Sequence, residues 1–141
     1  MKKILIVQAR FYEEIADNMT KAAIDTVMEA GFEFEVINLP GVFELPAAIS
    51  MAIASEKYDA YIALGCVIRG ETTHYDYVCN ESARGLNDLA IKRNVAIGYG
   101  VITAENRQQA NVRADKAQKN VGGKAAAAAI AMLKLKENMG V

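Results

Sequence analysis

The sequence predicts an α/β protein: a four-stranded parallel sheet with helices on both faces. Three observations predict it. Four short apolar runs alternate with helical stretches along the chain. The third run, DAYIALGCV at 59–67, is apolar almost throughout, as in strands buried on both faces. Strand–helix alternation of this kind implies right-handed crossovers between parallel strands. The 141 residues suit a single domain spanning 1–141, long enough to bury roughly 68–70% of its unfolded surface.

The elements follow in order. KKILIVQ (2–8) reads as the first strand. The helix from about 13 to 30 repeats Ile15, Met19, Ala23 and Val27 every four positions, and Gly31 stands at C′. FEFEVIN (32–38) alternates as a strand. Pro40, Gly41 and Pro46 mark 40–46 as a loop, after which AAISMAIAS (47–55) reads as a second helix. Strand three ends near Val67. Thr73 then stands as an N-cap, with Asp76 three residues on resembling a capping box, and that helix runs to about Arg93. VAIGYGVI (95–102) is the fourth strand. Helices at about 105–117 and 122–138 close the chain, and Ala125–Ala129 predict a thin helix lying close against a neighbour.

Composition excludes several classes. Hydrophobic residues make up 52% and charged residues 23%, with a net charge of −1, which does not suit a general nucleic-acid or membrane-surface binder. No apolar run reaches the ~20 residues of a membrane span. The opening MKKILIVQARF has the lysines of a signal peptide, but Arg10, Glu13 and Glu14 end it early. It reads as a strand, and the protein is expected in the cytoplasm. Cys66 and Cys79 have neither CxxC spacing nor companion histidines, so no metal site is expected and Cys66 reads as a small buried hydrophobe. GxGxxG and the P-loop are missing, as are the Ser/Thr-rich first loop of phosphate-binding flavodoxins and the clustered aspartates of receiver domains.

Ligands in such folds bind beyond the carboxyl ends of the strands. Arg10 and Phe11, Gly41–Glu44, Arg69–His74 and Thr103–Asn106 follow the four strands there. Gly70, Glu71 and Thr72 precede a helix start, where free amides and the helix dipole favour an anion. His74, the one histidine, is the general base tunable near neutral pH. Phe43 and Phe11 each either close the edge of the core or offer a face to a planar ring, with Glu44 able to accept from hydroxyl groups. Arg113 either belongs to a solvated face or supplies a fork donor for phosphate.

ARF at 9–11, PGVFELP at 40–46, ALGCVIRGETTHYDYV at 63–78 and TAENRQQANVRA at 103–114, taken together and in collinear order, resemble the lumazine synthase family. The resemblance implies a flavodoxin-like three-layer sandwich. It also implies a pentamer, or a multiple of one, with active sites shared between adjacent subunits. The implied reaction is a transfer without metal or organic cofactor. It condenses 5-amino-6-ribitylaminouracil with 3,4-dihydroxy-2-butanone 4-phosphate to 6,7-dimethyl-8-ribityllumazine, a riboflavin precursor, and releases phosphate.

By resemblance, Phe11 matches the aromatic that stacks on the pyrimidine, and Val42, Phe43 and Glu44 match the loop around that ring and the ribityl chain. Val67 and Ile68 match backbone contacts to the heterocycle. Gly70, Glu71, Thr72 and Arg113 match the phosphate site, and His74 the proton-transfer residue. Tyr99 stands where a neighbouring subunit commonly contributes Phe. Tyr12 replaces a frequent Asn, Val121 a frequent Lys near the phosphate, and Lys124 a usual acidic residue. Two small-molecule substrates and further copies of the chain are the expected partners, with a riboflavin synthase as an additional candidate. A non-catalytic flavin binder and a shell-forming scaffold are the competing readings.

Overall fold

A computed structural model describes residues 2–141. Among the described residues the elements run β1 (Lys3–Ala9), α1 (Glu13–Glu29), β2 (Glu33–Leu39), a 3-10 turn (Val42–Glu44), α2 (Leu45–Ser55), β3 (Ala60–Ile68), α3 (His74–Arg93), β4 (Ala96–Ala104), α4 (Arg107–Ala114) and α5 (Val121–Met139). The sheet has the order β2-β1-β3-β4, with every neighbouring pair parallel. This is the three-layer α/β arrangement of a flavodoxin-like fold.

The pleat sorts the strand residues onto two faces. Ile4, Ile6, Ile62 and Leu64 meet Ile15 and Met19 of α1 and Ala126 and Ala129 of α5. Leu5, Val7, Ala63 and Val67 meet Leu45 and Ile49 of α2 and Val78 and Leu86 of α3. Central β3 is buried along eight of its nine residues, as its apolar run predicts. Each large aliphatic side chain so buried contributes about 1.5–3 kcal/mol. All four residues of the repeat in α1 are buried, so that stripe is what holds the helix to the sheet. Edge strand β2 forms despite an exposure pattern that does not alternate.

Three element boundaries, by more than one residue, and one cap differ from the sequence reading. The loop expected over 40–46 contains the 3-10 turn, and α2 begins at Leu45 with Pro46 in its first turn, where a missing N–H costs nothing. β4 extends to Ala104. α4 is shorter than 105–117: Asn106 caps it by accepting from the Gln109 N–H at 2.9 Å, and the backbone turns extended at Asp115. The capping box at Thr73 and Asp76 does not form. Thr73 makes no side-chain cap bond, and Asp76 is turned to Arg69 instead.

Candidate active site

The carboxyl ends of β1 and β3 and the turn after β2 surround an open cavity of about 370 Å³. Its walls are Phe11, Tyr12, Gly41–Glu44, Cys66–Ile68, His74 and Val78. Seven of the sequence-expected residues therefore share one space: Phe11, Val42, Phe43, Glu44, Val67, Ile68 and His74. The sequence reading missed Tyr12, Cys66 and Val78 as wall residues. Val78 lies four positions after His74, on the same side of α3, and that helical spacing was the available signal.

Two aromatic rings stand out of this cavity. Phe11 is 71% exposed and Phe43 57% exposed, although burying either would be favourable by kilocalories. Val42, between Gly41 and Phe43, is instead buried and anchors the turn. It fits because β3 has a glycine opposite: a Cβ on Gly65 would lie 2.6 Å from a Val42 methyl. The 3-10 turn is thereby pressed onto the sheet while Phe43 and Glu44 face outward.

A polar cluster fixes the end of β1, just before Phe11 in the chain. Gln8, nearly buried, donates to Asn38 Oδ1 at 2.8 Å and accepts from Thr20 Oγ1 at 2.6 Å. Arg10 forks onto Asp17, with Nε–Oδ1 and Nη2–Oδ2 both 2.9 Å, and its backbone N–H donates to Leu39 O at 2.9 Å. This guanidinium holds the Asp17 carboxyl below the usual carboxylate range. The Phe11 ring meets Tyr12 edge-on with centroids 5.0 Å apart, and Arg107 lies over the Tyr12 ring at 5.7 Å.

Gly70, Glu71, Thr72 and Thr73 form an exposed turn between β3 and α3. Thr72 Oγ1 accepts from the His74 N–H at 3.3 Å, so His74 opens the helix at the cavity wall. The turn itself does not line the cavity of this single chain. Neither does Arg113, whose Nη1 donates to Gln109 O in its own helix at 3.1 Å, nor the 103–106 segment. Tyr99 also lies elsewhere, on the outer edge strand. Its ring is 43% exposed in a groove with Ala83, Leu86 and Ala90 of α3.

No group of three or more His, Cys, Asp or Glu side chains is placed to hold a metal ion among the described residues. Cys66 is 4% exposed, and burial pushes its thiol up to about 12. Only the thiolate is a good nucleophile, so Cys66 should resist alkylation in the folded protein at pH 8. Mass-mapping after brief iodoacetamide treatment checks this, with denatured protein as the reactive control. The sign for stability follows. The unfolded thiol ionises near its ordinary value of 9.0 while the folded one stays protonated. The Cys66 contribution is therefore constant below pH 9 and erodes as pH rises from there toward 12.

The 6,7-dimethyl-8-ribityllumazine synthase family model matches residues 1–137. A protein of that name from Zymomonas mobilis is 52% identical over 139 residues, covering 99% of each chain. One from Novosphingobium aromaticivorans is 53% identical over 137 residues, covering 97% of this chain and 98% of the relative. One from Sphingopyxis alaskensis is 48% identical over 141 residues, covering 100% and 99%.

Proposed function

Since the chain belongs to the 6,7-dimethyl-8-ribityllumazine synthase family, we propose that the cavity at the carboxyl end of its sheet is where that reaction takes place. The protein is a transferase of riboflavin biosynthesis. It condenses 5-amino-6-ribitylaminouracil with 3,4-dihydroxy-2-butanone 4-phosphate, giving 6,7-dimethyl-8-ribityllumazine and phosphate. The observation that carries the site is the meeting of two outward aromatic rings and the one histidine around a single opening.

Phe11 and the turn Val42–Glu44 receive the pyrimidine. The ring stacks on Phe11, and Glu44 accepts hydrogen bonds from ribityl hydroxyls. Backbone groups of Val67 and Ile68 line the heterocycle. The amine of the pyrimidine attacks the ketone, and loss of water gives an imine. Removal of a carbon-bound proton then lets the phosphate leave with the C–O bonding electrons, after which ring closure releases a second water. His74 takes and returns protons in these steps. Gly70, Glu71 and Thr72 hold the phosphate at the start of α3, where unpaired amides and the dipole favour a dianion. Holding two reactive molecules in register supplies much of the remaining acceleration.

Arg113 completes the phosphate site, and Tyr99 closes the ring pocket from a second copy. Both stand outside the single-chain cavity, which supports a site assembled between subunits of a pentamer or a multiple of one. The chain acts as one unit over 1–141, in the cytoplasm, and riboflavin synthase is the partner that uses its product. No helix among the described residues is long and apolar enough to cross a membrane. Mass measurement in solution tests the assembly: a monomer with full activity would refute the shared site. Arg113→Ala should raise the KM for the phosphate substrate about tenfold or more, the loss of a charged hydrogen bond, and leave the pyrimidine KM nearly unchanged. Steady-state lumazine fluorescence checks it, and an unchanged KM for the phosphate substrate would remove Arg113 from that role.

A further inference from the structure

We propose that Arg69 is a positioning residue for this reaction, fastening the first turn of α3, and so the His74 imidazole, to the loop after β4. The inference rests on the proton-transfer reading of His74 given above.

Arg69 is the first residue past β3. Its backbone N–H donates to Ala104 O at 2.9 Å, which carries the β3–β4 ladder one step beyond the strand. From that fixed point the guanidinium reaches in three directions. Nε lies 3.0 and 3.1 Å from the two carboxylate oxygens of Glu105, and Nη2 lies 3.3 Å from Asp76 Oδ1. Its central carbon sits 4.3 Å from the centroid of the Tyr75 ring, and Tyr75 packs in turn against the core beneath α2 and α3. One side chain thus touches both residues that follow His74 and also the loop at the end of the neighbouring strand.

Besides Arg69, the start of the helix has a side-chain tie in Thr72 Oγ1, which accepts from the His74 N–H at 3.3 Å, and that bond leaves the side chains of the first turn unfixed. Thr73 supplies no side-chain cap, and the Gly70–His74 segment is exposed. Asp76, which would close a capping box, is drawn away by Arg69. A lysine at 69 would keep the charge, but a single ammonium nitrogen cannot meet Glu105, Asp76 and the Tyr75 ring at once, as the separate Nε, Nη2 and flat face of the guanidinium do. The magnitudes separate orientation from stability. Exposed ion pairs of this kind contribute little to folding, whereas a displacement of about 1 Å in a catalytic group costs up to 10²-fold in rate.

The test is a double-mutant cycle on the full-length enzyme with both substrates. Arg69→Gln should lower kcat about tenfold, leave the pyrimidine KM unchanged and shift the melting temperature by no more than about 2 °C. Added to His74→Ala, the same substitution should cost less than about twofold, because no imidazole remains to be placed. Arg69→Lys should recover only part of the loss. Glu105→Gln should show a smaller loss of the same kind, and it decides the matter if Arg69→Gln does not fold. Wild-type kcat in both Arg69→Gln and Glu105→Gln, with His74→Ala slow, overturns the inference alone. A full tenfold effect of Arg69→Gln on the His74→Ala background also overturns it. Wild-type turnover in His74→Ala removes the His74 reading and this inference with it.

Discussion

Gly98→Ala should destabilise the protein by about 3 kcal/mol or more, lowering its melting temperature by about 10 °C. A Cβ at Gly98 would stand 2.0 Å from the carbonyl oxygen of Ala125 and 2.9 Å from its carbonyl carbon. Those are backbone atoms in the first half of α5, so no rotamer change relieves the clash. The helix would have to lift from β4, exposing Ala125, Ala126 and Ala129, all now buried. Gly70→Ala serves as the control. Nothing lies within 4 Å of its added carbon and its φ is not in the left-handed region, so stability should move by no more than about 0.5 kcal/mol. Thermal melting at fixed protein concentration, which keeps any assembly constant, compares the two. Equal stabilities would mean that α5 is not seated on β4 as described.

His74→Ala should lower kcat about a hundredfold, the lower end of what general acid–base catalysis supplies, with both KM values changed little. The variant should fold normally. His74 is exposed, and its hydrogen bond to Thr72 Oγ1 runs through its backbone N–H, which alanine retains. The residual rate is the informative quantity, since substrates held in register keep reacting with water as the proton carrier. Stopped-flow fluorescence of the product measures it. Complete loss of activity with intact substrate binding would mean that positioning contributes far less than argued. An unchanged rate would mean that another group moves the protons.

Much of the architecture was readable because it rests on local chemistry. The apolar run of β3 and the four-residue repeat of α1 each report what their own neighbours in sequence do. The clustering of loops at one end of the sheet was readable for a topological reason, since right-handed crossovers return every strand in the same direction. What escaped depended on distant partners. The pattern at Thr73 and Asp76 is a sound local capping signal, but Arg69, seven residues before Asp76, competes for its carboxylate with geometry that local rules do not contain. The 3-10 turn at Val42 depends on a missing side chain at Gly65, more than twenty positions away. Cys66 became a wall residue only when β3 and α3 were laid side by side, whereas the i,i+4 spacing from His74 had been a local signal for Val78. The places of Tyr99 and Arg113, outside the cavity, are invisible to any reading of one chain's periodicity.

The seating of α5 also bears on the order in which the molecule can be made. Gly122 comes so close to α1 that a Cβ there would lie 2.2 Å from the Met19 carbonyl oxygen, joining a helix from the first fifth of the chain to one from the last. Ribosomes deliver about 5–20 residues per second. For on the order of seconds after β4 is synthesised, then, Ile4, Ile6, Ile62 and Leu64 have α1 beside them but lack α5, the second helix of their cover. During that interval the nascent sheet offers an apolar face to any other unfinished chain nearby, and chaperone capture or a slowed start is what it would need. Completion of this core therefore waits for α5 and is set by the arrival of a run of alanines.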